Sequence, residues 1–161
     1  AQGYTFKALS ALPGLADPTV SALPNHALFT VEGQAAAPTA FLIDGSNYIK
    51  LRDIAAMLAD TEKGFAVAYD LATDSVALAG GRTYTPLGTE LAGVRDAAVV
   101  QAGAGSQQIT LDGAPLTLTA YMIDDENYVK LRDLAQAIDC GITYDPATQA
   151  VDLNPSLPYE A

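Results

Sequence analysis

The chain has 161 residues, half of them hydrophobic, with a formal net charge of −11 and a sequence pI near 4.1. This length fits one ordinary domain or two small ones, and the hydrophobic share argues against wholesale disorder. The negative charge would repel nucleic-acid phosphates, and no apolar run approaches the length of a membrane span, so neither nucleic-acid binding nor membrane insertion is expected.

The first stretch, residues 1–25, contains prolines and glycines without a clear hydrophobic period. We expect it to form an extended leader that is poorly ordered or draped over the first domain. The sequence starts at Ala1 rather than at a methionine, so either a secretory signal has been removed or the given sequence begins within a longer protein. The expected location, after removal of a signal, is secreted or at the cell surface.

Strand patterns come after the leader. Residues 28–31 predict a strand that ends in a tight turn at Glu32-Gly33, and a second strand runs through 41–43. A turn beginning at Asp44 leads to a third short strand that carries Tyr48. Equivalent patterns recur 80 residues later, with a turn at Asp112-Gly113.

The hydrophobic period then changes to that of a helix. Apolar residues recur with the spacing i, i+3, i+4, i+7 in both places: Leu51, Ile54, Ala55 and Leu58, then Leu131, Leu134, Ala135 and Ile138. Asp53 and Asp133 fall in the first turn, where the helix dipole favours a carboxylate. Helices this short are unstable alone and need a sheet packed against their apolar face.

Two further strands, at 67–70 and 75–78, recur at 142–145 and 150–153. The offset drops there from 80 to 75 residues, so the first copy has a five-residue insertion near 60–64. Tyr84 and Tyr159 match at the same offset of 75 and predict a trailing segment that packs back onto its own copy.

The chain is thus organised as a repeat. Residues 47–53 and 127–133 share the sequence Asn-Tyr-x-Lys-Leu-Arg-Asp, with Ile49 in the first copy and Val129 in the second. The predicted fold class is α+β: two tandem repeats, each a twisted antiparallel sheet of about five short strands packed around one short helix. The predicted boundaries are a leader at 1–25, a first repeat at 26–92, a linker at 93–105 and a second repeat at 106–161, with the repeats folding independently as a monomer.

This order of strands, repeated motif and closing hairpin resembles the copper amine oxidase N-terminal-like domain, or stalk domain, which occurs in tandem on secreted and surface proteins of Gram-positive bacteria. The resemblance covers about 26–92 and 106–161 and implies a twisted antiparallel sheet around one helix. It does not imply oxidase chemistry. That chemistry needs three histidine ligands for copper, whereas this chain has only His26. No cofactor and no metal are expected.

Acidic and basic side chains in the repeat have structural explanations. Asp44, Asp53, Asp124 and Asp133 lie at turns and helix starts, so an acid–base pair is a weak alternative. Residues 124–127 could bind calcium weakly, but a solvated turn explains them better. Arg52 and Arg132 could grip an acidic ligand, although ion pairs with Asp44 and Asp124 are more typical.

Tyrosines are the best candidates for contact with a partner. Tyr48 and Tyr128 recur as a pair, as do Tyr69 and Tyr144, and tyrosine rings can stack against sugars or bind a partner protein. Core packing is the more common role, except for Tyr121, which shares a strand face with threonines and is expected to be exposed. The candidate partner-binding residues are Tyr48, Tyr128, Tyr121, Arg52 and Arg132.

The leading functional hypothesis is a non-catalytic extracellular module for surface display, or for binding a cell-wall component, a glycan or a surface protein. The alternative is an accessory or inhibitory domain of a secreted enzyme. Cys140 is expected to be a buried thiol, because it aligns with the apolar Phe65 of the first copy. His26 is expected to be a solvated loop residue.

Overall fold

The computed structural model describes residues 20–92, 99–104, 107–124 and 126–160. Most of the expected leader, residues 1–19, lies outside this range. The first half contains β1 (Val20–Pro24), β2 (Phe29–Val31), β3 (Gln34–Ala36), β4 (Ala40–Ile43), β5 (Ser46–Lys50), α1 (Leu51–Met57), β6 (Phe65–Asp70) and β7 (Ser75–Gly80). The second half contains β8 (Val100–Ala104), β9 (Gln108–Leu111), β10 (Ala114–Pro115), β11 (Ala120–Ile123), β12 (Glu126–Lys130), α2 (Leu131–Ala137), β13 (Gly141–Asp145) and β14 (Ala150–Asn154).

The tight turns predicted from the sequence are confirmed. Glu32 and Gly33 join β2 to β3 with φ values of 48° and 82°, and Asp112 and Gly113 join β9 to β10 with 51° and 88°. Two successive residues with positive φ are typical of the two-residue turn whose twist matches that of the flanking strands. Asp44 also has a positive φ, in the turn from β4 to β5.

Six strands form a closed antiparallel barrel in the order β1-β4-β5-β12-β11-β8. Each half contributes three strands, and the halves meet twice. Ile49 of β5 lies opposite Val129 of β12, and Ser21 of β1 lies opposite Gln101 of β8. In both pairs the two residues are equivalent positions of the repeat, so a pseudo-twofold relation connects the halves.

The remaining strands form two four-stranded sheets, and in both sheets the halves exchange hairpins. The hairpin β6–β7 of the first half pairs through β7 with β9 of the second half. The hairpin β13–β14 of the second half pairs through β14 with β2 of the first. Both of these cross-pairings are parallel.

The predicted fold class is therefore wrong. The helices and the closing hairpins form where the sequence places them, but no sheet belongs to one repeat alone. Parts of the expected leader and linker also become barrel strands, β1 and β8, in which Ala22 and Ala102 are fully buried. The physical reason is that a strand edge can be completed by either copy of a hairpin with the same apolar pattern, and local sequence does not say which.

The main hydrophobic core also draws on both halves. One cluster contains Leu51 and Ile54 of α1 together with Leu131 and Leu134 of α2. The predicted apolar stripes are confirmed as the buried faces of the helices, with Ile138 only partly buried. Since this core is common to the two repeats, the structure does not agree with the expectation of two independent units.

Candidate functional site

Two clefts in related positions open beside the starts of the two helices. The α1 cleft, of about 410 Å³, is lined by Lys50, Leu51, Arg52, Val67, Tyr69, Val76, Gln107, Met122, Glu126 and Asn127. The α2 cleft, of about 270 Å³, is lined by Gly45, Ser46, Asn47, Lys130, Leu131, Arg132, Ile142, Tyr144 and Val151. Each cleft combines a Lys-Leu-Arg segment and a hairpin from one repeat with the β-turn region of the other. Strand exchange therefore creates both clefts.

The α1 cleft contains its own counter-ion. Lys50 Nζ lies 2.8 Å from Glu126 Oε2, with the two side chains 16% and 38% exposed. A partly exposed pair of this kind contributes little to stability. It nevertheless satisfies the cation that would otherwise face a ligand.

Further polar groups of the α1 cleft bond to one another. Asp74 Oδ1 accepts hydrogen bonds from Tyr69 OH (2.6 Å) and from Gln107 Nε2 (3.0 Å), and Gln107 Oε1 accepts one from Asn127 Nδ2 (2.6 Å). The bonds from Gln107 and Tyr69 lower the pKa of Asp74, and the bond to Asp74 raises the pKa of Tyr69. This network leaves few free polar groups for a ligand.

Residues 84–91, which we call the strap, hold the remaining cation of the α1 cleft. Arg52 Nη1 lies 3.4 Å from Tyr84 OH, and its guanidinium carbon lies 6.0 Å from the centre of the Tyr84 ring. Tyr84 OH also donates to Glu90, and burial together with that bond raises the pKa of Tyr84. Burial alone would raise the pKa of Glu90, but bonds from Leu87 N–H, Tyr84 OH and Gly88 N–H outweigh it and lower this pKa to about 2.

Asp53 fastens the end of the strap to α1. The side chain of Asp53 is fully buried, and its two oxygens accept hydrogen bonds from Thr39 N–H (2.7 Å) and Leu91 N–H (3.0 Å). Tyr84 itself is only 3% exposed and belongs to the main core. The prediction that the segment around Tyr84 packs onto the first repeat is confirmed.

The α2 cleft has the same cations without these partners. Ser46 takes the position of Glu126, and Gln149 takes that of Asp74. Among the described residues neither Lys130 nor Arg132 forms an ion pair, and Arg132 is exposed. The α2 cleft therefore presents two cations that have no ion-pair partner among the described residues, on a chain whose net charge is −11.

Several acidic residues next in sequence to the lining of the α2 cleft accept hydrogen bonds elsewhere, whereas Asp44, beside Gly45, is exposed. Asp133 Oδ2 accepts a hydrogen bond from Thr119 N–H (2.9 Å), and Asp145 Oδ1 accepts one from Ala147 N–H (2.9 Å). Asn47 Oδ1 accepts a bond from Asn25 Nδ2. The side chains left to meet a ligand are the cations, the Ser46 hydroxyl and the Tyr144 ring.

All three candidate partner-binding tyrosines lie in the barrel. Tyr48 and Tyr128 are each 5% exposed and belong to the cluster that fills it. Tyr121, expected to be exposed, is half-buried and stacks edge-on against Tyr48 at 5.1 Å between ring centres. Phe41 and Tyr128 form the equivalent pair at 5.5 Å. Burial raises the pKa of both Tyr48 and Tyr128.

The two arginines of the candidate set do line the clefts, but without the expected ion pairs. The only ion pair among the described residues is that of Lys50 with Glu126, so Arg52 does not pair with Asp44, nor Arg132 with Asp124. Asp44 and Asp124 instead lie in tight turns, where their φ values are 50° and 51°.

Sequence reasoning missed several cleft residues. Tyr69 and Tyr144 were assigned to the core, yet each is 47% exposed and borders a cleft. Lys50 and Lys130 were visible inside the repeated motif, which could have identified them. Ser46 and Glu126 could not be assigned, because each lines the cleft beside the helix of the other repeat.

Other reactive groups lie away from the clefts. Cys140 is fully buried, as predicted, and burial raises its pKa to about 11. His26 is exposed, as predicted. Within the described ranges, no group of three or more His, Cys, Asp or Glu side chains is placed to hold a metal ion. In the same ranges neither helix is long and apolar enough to cross a membrane.

Comparisons with known proteins give no information about the clefts, so the clefts are interpreted from their own residues. No family model matches this sequence, and no curated protein or solved structure matches it either. The resemblance to stalk domains stays a prediction that rests on the repeated motif and the order of elements.

Proposed function

We propose that this chain is a non-catalytic binding module of a secreted or surface-attached bacterial protein, and that it binds a glycan of the cell wall or its surroundings. One observation carries the proposal: the Lys-Leu-Arg segment that defines the repeat lines a cleft in both copies, each time beside a half-exposed tyrosine. The stalk-domain resemblance supports the extracellular location.

The lining of the α2 cleft suits a sugar better than an apolar ligand. Arg132 and Lys130 supply charged donors, and Ser46 supplies a neutral hydroxyl. A tyrosine ring offers a flat apolar surface on which a sugar ring can stack. A volume of about 270 Å³ lies just below the range of ligand pockets in general, so it suits one sugar unit of a longer chain.

A binding screen with the purified chain tests the proposal. Glycans and soluble peptidoglycan fragments would be titrated and followed by calorimetry and by NMR of the labelled protein. We expect saturable binding that is lost in Tyr144→Ala and retained in Tyr69→Ala, the matched change in the α1 cleft. Absence of binding to every glycan would contradict the proposal and favour a spacer.

A further inference from the structure

We infer that the α2 cleft selects a carboxylate-bearing sugar, and that the α1 cleft is closed to the same ligand by its internal Glu126. This inference rests on the proposed function and specifies its ligand. It follows from the difference between two clefts that share the same two cations but not the same counter-charges.

The first step is charge. In the α1 cleft Lys50 is 2.8 Å from Glu126, and Arg52 is held by Tyr84 of the strap. In the α2 cleft the matching cations, Lys130 and Arg132, form no ion pair within the described residues. Two cations in one lining that have no ion-pair partner favour a ligand with a negative group.

The second step is geometry. Arg132 is exposed beside the cleft, and a guanidinium presents paired N–H donors that match a carboxylate. Lys130 is half-buried and comes from the residue immediately before α2. The Tyr144 ring lies in the same lining, so a sugar ring stacked on it could extend its carboxylate towards the cations.

The third step is the comparison of the two equivalent residues, Ser46 and Glu126. Ser46 and Glu126 are equivalent residues at the starts of β5 and β12, so a glutamate is compatible with this backbone position. In the α1 cleft that glutamate supplies the carboxylate that a ligand would supply in the α2 cleft. Glu126 is thus a built-in competitor for Lys50.

The test uses the full chain and sodium glucuronate as the probe, with glucose as the neutral match and a short polyuronate as the longer glycan. We expect glucuronate and the polyuronate to shift the NMR signals of Lys130, Arg132 and Tyr144 at one site per chain, with glucose binding at least tenfold more weakly. A tenfold change in affinity corresponds to about 1.4 kcal/mol, which the loss of one charge-assisted hydrogen bond can supply.

Two reciprocal variants sharpen the result. Ser46→Glu should weaken glucuronate binding about tenfold or more while leaving the unfolding midpoint close to wild type. Glu126→Ser should add a second, weaker site whose signals come from Lys50 and Tyr69. Arg132→Gln serves as a second variant if Ser46→Glu is unstable, and it should also weaken binding about tenfold.

Distinct results would overturn the inference. Equal binding to wild type and Ser46→Glu would place the ligand elsewhere. Tighter binding of a neutral glycan than of glucuronate would refute the carboxylate while leaving the proposed function intact. An acetylated Glu-Glu dipeptide that binds the α2 cleft more tightly than every sugar would assign the cleft to an acidic peptide and refute both proposals.

Discussion

The starts of α1 and α2 have the same Lys-Leu-Arg-Asp sequence, but the structure gives them different surroundings. Lys50 pairs with Glu126, and Arg52 is held by the strap. Asp53 accepts two backbone hydrogen bonds, whereas Asp133 accepts one, from Thr119. The equivalent of Tyr84 after the second repeat, Tyr159, is half-buried and donates its N–H to Asp139.

The comparison teaches that the repeated motif places a lysine and an arginine at each cleft, while the neighbouring residues decide whether these cations are paired. Both motifs place a lysine and an arginine at a cleft, because both begin a helix after a barrel strand. Whether those cations are free depends on a residue from the other repeat and on the segment after the closing hairpin. The lysine and arginine of the α1 cleft are therefore paired within the protein, whereas those of the α2 cleft are left able to bind a ligand.

The largest expected effect comes from separating the two halves. Expressed alone, residues 1–92 and 93–161 should each fail to give a folded monomer, because β7 and β14 lose their parallel neighbours and the barrel loses three strands. Circular dichroism and size-exclusion chromatography would measure this, and mixing the halves should restore a 1:1 complex. A half that unfolds as a monomer in one sharp transition would show that the repeats are independent after all.

A smaller effect is expected from opening the shared core. Leu134→Ala should lower the free energy of unfolding by about 2–5 kcal/mol, since Leu134 is fully buried and a cavity would remain. Ile54→Ala, at the equivalent position of α1, should cost a similar amount and keep a single transition. Leu71→Ala is the control: Leu71 is 80% exposed, so a change within about 0.5 kcal/mol is expected. Two separate transitions in either core variant would argue against a common core.

Substitution of Asp53, which binds the strap, can be compared with substitution of the equivalent Asp133, which does not. Asp53→Asn should cost about 1–3 kcal/mol, because an amide offers one acceptor and would leave either Thr39 N–H or Leu91 N–H facing another donor in a buried site. Asp133→Asn should cost less than about 1 kcal/mol, because its single bond is exposed. Urea unfolding of both variants measures the difference. If the two variants lost equal free energy of unfolding, the bond from Asp53 to the strap would not contribute to stability.

The smallest expected effect is the pH dependence of the strap. The pKa of Glu90 is lowered from 4.5 to about 2, so its stabilising contribution is complete above pH 4.5 and is lost as the pH falls towards 2. Glu90→Gln should therefore be less stable than wild type at pH 6, by no more than about 1 kcal/mol because solvent screens this group. The gap should shrink by pH 2.5 in thermal unfolding, and a gap that stays constant would exclude an ionic origin.

Much of the local structure was determined by the sequence. The turns at Glu32-Gly33 and Asp112-Gly113, the buried stripe through Leu51 and Leu131, and the buried Cys140 all follow from short patterns. Such features depend on backbone sterics and on the period of apolar residues, which nearby residues set by themselves.

The site was predicted only in part. Arg52 and Arg132 were identified because the motif carries them, and both line clefts. Tyr48 and Tyr128 were identified for the same reason but fill the barrel. Side-chain alternation along a strand gives two faces, but it does not tell which face a closed barrel will enclose.

Only the tertiary structure decided which strands pair. The hairpins of the two repeats have similar apolar patterns, so pairing within a repeat and pairing between repeats look alike from local sequence. The choice depends on closing the barrel through β1 and β8 and on burying α1 and α2 in one core, which are properties of the whole chain. That choice brings Glu126 to Lys50 and Ser46 to the cleft of Lys130, and so only the α1 cleft has a paired lysine.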